Sequence, residues 1–153
     1  MALFLATHIN KLDKKGRVSV PAAWRAGLTT SEFAGIVLSP SHQAACLDGF
    51  PMDRLSQLAS AMDDYAFYSD DQAALATTLF GSAQPLAFDA DGRVTLPEAL
   101  AAHAGIAGSV AFVGLGKSFQ LWEPSAFTAH QHAQRERVQK QKLTLKLGGG
   151  NNP

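Results

Sequence analysis

Two short stretches concentrate the residues able to do chemistry. Leu12-Asp13-Lys14-Lys15-Gly16-Arg17-Val18-Ser19-Val20-Pro21 and Phe88-Asp89-Ala90-Asp91-Gly92-Arg93-Val94-Thr95-Leu96-Pro97 align at an offset of 76 residues, with Asp, Gly, Arg, Val and Pro identical in register. Each reads as an acidic turn residue, a Gly free to take positive φ, an Arg, and an alternating strand closed by Pro. From Lys11 to Pro21 four basic residues face one acid, net +3, whereas from Phe88 to Pro97 one Arg faces two Asp, net −1. Only the first stretch suits a polyanion: Lys11, Lys14, Lys15 and Arg17 on one exposed turn can neutralise phosphates and release counterions. Arg17 can also read the O6 and N7 edge of guanine bidentately, which a lysine does less well. Asp13 would repel phosphate, so its expected part is to shape the turn and orient Arg17. Asp89 with Arg93 is expected to do the same structural work, and Gly16 and Gly92 are backbone devices.

Other chemistry finds little support. Gly114-Leu115-Gly116-Lys117-Ser118 mimics the end of a phosphate-binding loop, and a nucleotide-binding enzyme is the remote alternative it raises. The full pattern needs Gly where Ala111 stands, and the following Phe119-Gln120-Leu121-Trp122 alternates like a strand rather than opening a helix. A hairpin turn is expected there. His8, His42, His103, His130 and His132 have no metal-ligand spacing, and no nucleophile–base set can be recognised. No catalytic residue, metal, cofactor or small-molecule substrate is therefore expected.

The surrounding elements must position the two turns. Ala6–Asn10 reads as a short edge strand, Ala22–Leu28 as a short helix with Trp24 inward, and Gly35–Ser39 and Ala44–Leu47 as a strand pair. Pro51 opens an amphipathic helix with Leu55, Leu58, Ala59, Met62 and Ala66 on one stripe. Ser69-Asp70-Asp71 caps a second helix, Gln72–Phe80, ended by Gly81. After Pro97, a helix with Leu100 and Ala104 stops at Gly105, followed by strands at Gly108–Val113 and Ser118–Trp122. A polar helix starts at Pro124 and runs to about Lys142, and Gly148–Pro153 is expected to be disordered. Gly35 pairs with Gly108 and Pro51 with Pro124 at an offset of 73, the difference from 76 falling in the longer connection Thr29–Ala34. Each half is too small for a self-sufficient core, so the halves should share one.

Thirteen Lys/Arg balance thirteen Asp/Glu over 153 residues, but the charge is segregated. Residues 1–25 carry net +4, residues 26–98 net −8 and residues 99–153 net +4. Such sorting can create a basic face on a neutral protein. No run approaches the roughly 20 apolar residues of a membrane helix, and the N-terminus lacks the basic region of a signal peptide. The lone Cys46 excludes an intramolecular disulfide and fits a reducing cytoplasm.

The order of these pieces resembles the MraZ family of bacterial regulators of the division and cell-wall gene cluster, related to the AbrB-like swapped-hairpin DNA-binding proteins. The double Asp-x-x-Gly-Arg turn carries the resemblance, with Trp24-Arg25, Leu79-Phe80-Gly81-Ser82-Ala83 and Leu121-Trp122-Glu123. It covers about residues 4–127; the segment beyond Ala129 matches poorly, and Gln72–Phe80 has no Arg where family members commonly carry one. The resemblance implies an α+β fold with a mainly β core: two tandem AbrB-like swapped-hairpin units forming one pseudo-two-fold β-barrel with peripheral helices. The units fall at 1–68 and 82–128, joined by a linking helix at 69–81 and followed by a polar helix and tail at 129–153. It further implies a cytoplasmic, nucleoid-associated repressor, assembled as an octamer-like ring of copies. Such a ring would bind direct repeats of double-stranded promoter DNA through the first-motif turns, with no membrane partner. An AbrB-like antitoxin with a toxin-binding tail is the alternative, and such chains usually carry a single copy of the motif.

Overall fold

A computed structural model describes residues 2–63 and 69–146. Ala66 of the expected helical stripe, the boundary at residue 68 and the expected disordered tail Gly148–Pro153 lie outside the described residues. The chain runs β1 (Thr7–Lys11), β2 (Arg17–Ser19), α1 (Ala22–Arg25) with a 3₁₀ turn at Ala26–Leu28, β3 (Gly35–Pro40), β4 (Leu47–Phe50) and α2 (Met52–Met62). It continues through α3 (Asp70–Leu79), β5 (Gln84–Ala87), β6 (Arg93–Thr95), α4 (Glu98–Ala104), β7 (Ser109–Gly114), β8 (Phe119–Trp122) and α5 (Pro124–Gln141). This is a mixed α and β protein built on a large antiparallel sheet.

The sheet order is β1-β7-β8-β4-β3-β5, and β2 pairs with β6 in a second, two-stranded sheet. Replacing each strand by its counterpart four places along, and the reverse, leaves both orders unchanged. Each half therefore lends a strand to the other: β1 adds to the β7–β8 hairpin and β5 to the β3–β4 hairpin. Among the described residues these hydrogen bonds form two sheets and do not close into one ring.

The shared core follows from this exchange. Phe4, Val18, Val20, Trp24 and Leu28 pack in one cluster with Val94, Leu96, Leu100, Phe112, Phe119 and Leu121 of the second half. Trp24 is its hub: the Phe4 and Phe119 rings lie 5.4 and 5.2 Å away, and its indole N–H donates to the Leu5 carbonyl at 3.2 Å. Helices α2 and α5 bury no residue fully and sit outside this core. Ser69 caps α3 by accepting from the Gln72 amide, and Gly105 ends α4 at φ 65°.

Two expectations need correction. The strand expected at Ala44–Leu47 is displaced to Leu47–Phe50, because Asp48 and Gly49 look like turn formers in isolation. Gly49 is a strand residue for a tertiary reason: a Cβ there would run into the Phe119 ring packed over its backbone. The offset of 73 is also wrong. Leu12 N donates to Gly108 O and Phe88 N to Ala34 O, so Ala34 rather than Gly35 is the counterpart of Gly108, at 74. Pro51 and Glu123 are the caps of α2 and α5, an offset of 72. The offset thus drops from 76 in two steps of two, once in each loop flanking β3. At 74, Ile36 and Leu38 correspond to Val110 and Phe112, and all four lie in the same core. Pairing at 73 would instead match Val37 and Ser39, outside that cluster, to the core residues Val110 and Phe112.

Burial also governs Cys46, whose thiol is pushed up to about 11 by desolvation. At about pH 8 the native protein should therefore resist a thiol-specific reagent such as DTNB and react only on unfolding. Gly49→Ala should cost about 1–3 kcal/mol of stability in urea titration, because the fully buried Phe119 has nowhere to move.

Candidate nucleic-acid interface

Both motifs fold into the same turn. Asp13 Oδ1 accepts from the Lys15 and Arg17 amides at 2.9 and 2.8 Å, and Asp13 Oδ2 accepts from Arg17 Nε at 2.7 Å. Asp89 repeats the pattern, taking the Asp91 and Arg93 amides at 2.9 and 3.0 Å and Arg93 Nε at 3.0 Å. The main chain closes each turn, with Gly16 N on Asp13 O and Gly92 N on Asp89 O at 3.0 and 3.1 Å. Gly16 at φ 81° and Gly92 at φ 74° occupy the left-handed region the turn requires.

Identical backbones carry different surfaces. Lys14 and Lys15 are exposed where the second turn has Ala90 and Asp91. Asp91 Oδ2 accepts from Arg93 Nη2 at 3.2 Å, so three nitrogens of that residue (its amide, Nε and Nη2) are committed within the turn. Lys15 stands at the place of Asp91, and among the described residues neither terminal nitrogen of Arg17 has a partner. Asp13 thus holds Arg17 by its inner nitrogen and leaves the outer edge of the guanidinium open. Lys11 ends β1 with its side chain exposed, just ahead of the turn, and makes no hydrogen bond to it.

Arg25 enters the sequence reading only through the Trp24-Arg25 match, with no site role, yet it reaches the second turn. Its Nη1 donates to the Asp91 carbonyl at 3.4 Å, and its guanidinium covers the face of Gly92. This offsets the negative charge of the second turn, which local counting misses because the partners are 66 residues apart.

The hairpin turn Gly114–Ser118 is not a phosphate cradle. The Gly114, Gly116 and Leu115 amides donate to Ala6, Phe4 and Ser118 carbonyls, and β8 rather than a helix follows. Among the described residues no three His, Cys, Asp or Glu lie where they could hold a metal ion, and no helix is long and apolar enough to cross a membrane.

The amide bonds to Asp13 and Asp89, with help from Arg17 and Arg93, lower both carboxyl pKa values below the ordinary 3.8. A depressed carboxylate stabilises the fold above its unfolded-state pKa, and that contribution is lost as pH falls through the folded-state value. Asp13→Asn/Asp89→Asn should therefore melt lower than the parent at neutral pH. Its melting temperature should also decline less steeply between about pH 5 and 2.

The family model described as "MraZ protein, putative antitoxin-like" matches residues 79–147. The match runs on through α5, beyond the limit near residue 127 suggested by the motifs. The chain is 41% identical over 141 residues to the transcriptional regulator MraZ of Gluconobacter oxydans (strain 621H), an alignment covering 90% of this chain and 86% of the relative. Its identity to the MraZ of Gluconacetobacter diazotrophicus is 40% over 152 residues, covering 97% and 95%. For the MraZ of Rickettsia akari (strain Hartford) the figures are 38% over 146 residues, 95% and 98%. With whole-length relatives at this identity, the chain belongs to the MraZ family.

Proposed function

We propose that the chain is a sequence-specific DNA-binding transcriptional repressor, acting in the cytoplasm at the nucleoid. On this reading it binds direct repeats in the promoter of its own division and cell-wall cluster. Lys14, Lys15 and Arg17 are the contact residues, with Lys11 beside them. The single observation carrying this reading is the contrast between two turns with the same hydrogen-bond pattern. One offers two exposed lysines and the open edge of Arg17; the other ties its arginine to Asp89 and Asp91. The names of the relatives, transcriptional regulators, agree with it.

In this reading the scaffold is a pair of swapped-hairpin units wrapped as a pseudo-two-fold barrel, and several copies close into a ring. A ring would present many weak turns to repeated sites, and linked weak contacts gain on the order of 10²–10⁴-fold through effective concentration. A protein of zero net charge could then bind DNA tightly through a small basic loop.

Gel-shift titration of the chain's own upstream region across a salt series tests the reading. Affinity should fall steeply with salt, and Lys14→Ala or Lys15→Ala should each reduce the salt slope by about one. Arg17→Ala should weaken binding at least tenfold, whereas Arg93→Ala should lower the melting temperature and leave binding by the folded protein intact. Salt-insensitive or absent binding by the parent would sink the proposal.

A further inference from the structure

The first turn borders an open groove. Lys14, Lys15, Gly16, Leu96, Glu98 and Ala101 line most of a space of about 520 Å³ between the turn and α4. At the corresponding place beside the second turn stands Arg25, the counterpart of Ala101 at the offset of 76. The Arg25 side chain lies over Gly92, where an added Cβ would collide with the guanidinium. Over Gly16, an added Cβ would meet only the Leu96 carbonyl at 3.3 Å and Thr95 Cγ2 at 4.0 Å.

We infer that this groove receives the sugar–phosphate backbone of the bound DNA strand, and that Arg25 is a plug closing the duplicate groove; the inference rests on the DNA-binding reading above. The chemistry of the walls fits a polyanion approached closely. Gly16 carries no side chain to hold a backbone away, and Lys14 and Lys15 supply two cations at the rim. Two carboxylates also line the groove, Glu98 on the α4 wall and Asp13, which is tied into the turn by Arg17, and they confine a phosphate to the lysine rim. The two turns therefore differ in access as well as in charge: the second is tied by its own aspartates and roofed by Arg25.

Access and charge make opposite forecasts for one substitution. Ala101→Arg adds a cation beside the proposed contact, so charge alone would tighten DNA binding. If the groove must be open, the same change mimics Arg25 and weakens it. The experiment is a gel shift on the upstream promoter fragment at fixed salt, comparing the parent with Ala101→Arg, Ala101→Gln and Ala102→Arg. Ala102 is exposed one position along α4 and adds the charge without lining the groove. Binding should weaken at least tenfold for Ala101→Arg and Ala101→Gln, with melting temperature and oligomeric size preserved, and stay equal or tighten for Ala102→Arg. Should the arginine variant fail to fold, the uncharged glutamine decides. Folded position-101 variants that bind as well as the parent would overturn the groove while leaving the basic turn standing. A parent that fails to bind at all would instead remove the DNA reading on which the groove depends.

Discussion

The Leu96 amide donates to the Gly16 carbonyl at 2.7 Å, and the Val20 amide donates to the Gly92 carbonyl at 3.2 Å. Each Gly belongs to the turn of one half and each amide to the strand end of the other. Each turn closes within its own half, but its left-handed Gly presents its carbonyl to a strand end more than seventy residues away in sequence. The β2–β6 pairing, the exchange of β1 and β5 between hairpins and the single core all follow from that mutual dependence. A half of this chain would leave an unpaired edge and half a core, which is a poor basis for independent stability.

The same dependence separates architecture from function. Because Asp, Gly and the amide and Nε of Arg are employed in making the turn, the two positions between Asp and Gly can vary without changing the backbone. The chain places Lys14 and Lys15 in one pair and Ala90 and Asp91 in the other. Exposed ion pairs such as Asp13–Arg17 contribute little energy by themselves. The value of this one is geometric, since it fixes the direction in which an arginine presents its remaining donors.

Much of this was legible because its signals are local. The doubled turn, Ser69 as a cap, Gly105 as a stop and Trp24 as an inward residue each follow from a few neighbouring side chains. What stayed hidden depends on distant partners. Gly49 reads as a turn until the Phe119 ring is seen against it, and Arg25 reads as a surface charge until it is found over Gly92. The correct offsets of 74 and 72 emerge only from the hydrogen bonds Leu12–Gly108 and Phe88–Ala34 and from the caps of α2 and α5. Gly35, Gly108, Pro51 and Pro124 align by residue type at 73, but that offset matches Val37, outside the core cluster, to Val110 within it.

Strand exchange also sets a clock. Thr7 pairs with Val113, so β1 finds its partner only after more than a hundred further residues have been made. At synthesis rates of roughly 5–20 residues per second, that is a wait of about 5–20 s. Throughout it the nascent N-terminal half holds β1 unpaired and Trp24 without Phe112 and Phe119 to pack against. The interval in which this chain is most open to wrong pairing is thus set by the ribosome, and it ends when β7 and β8 arrive.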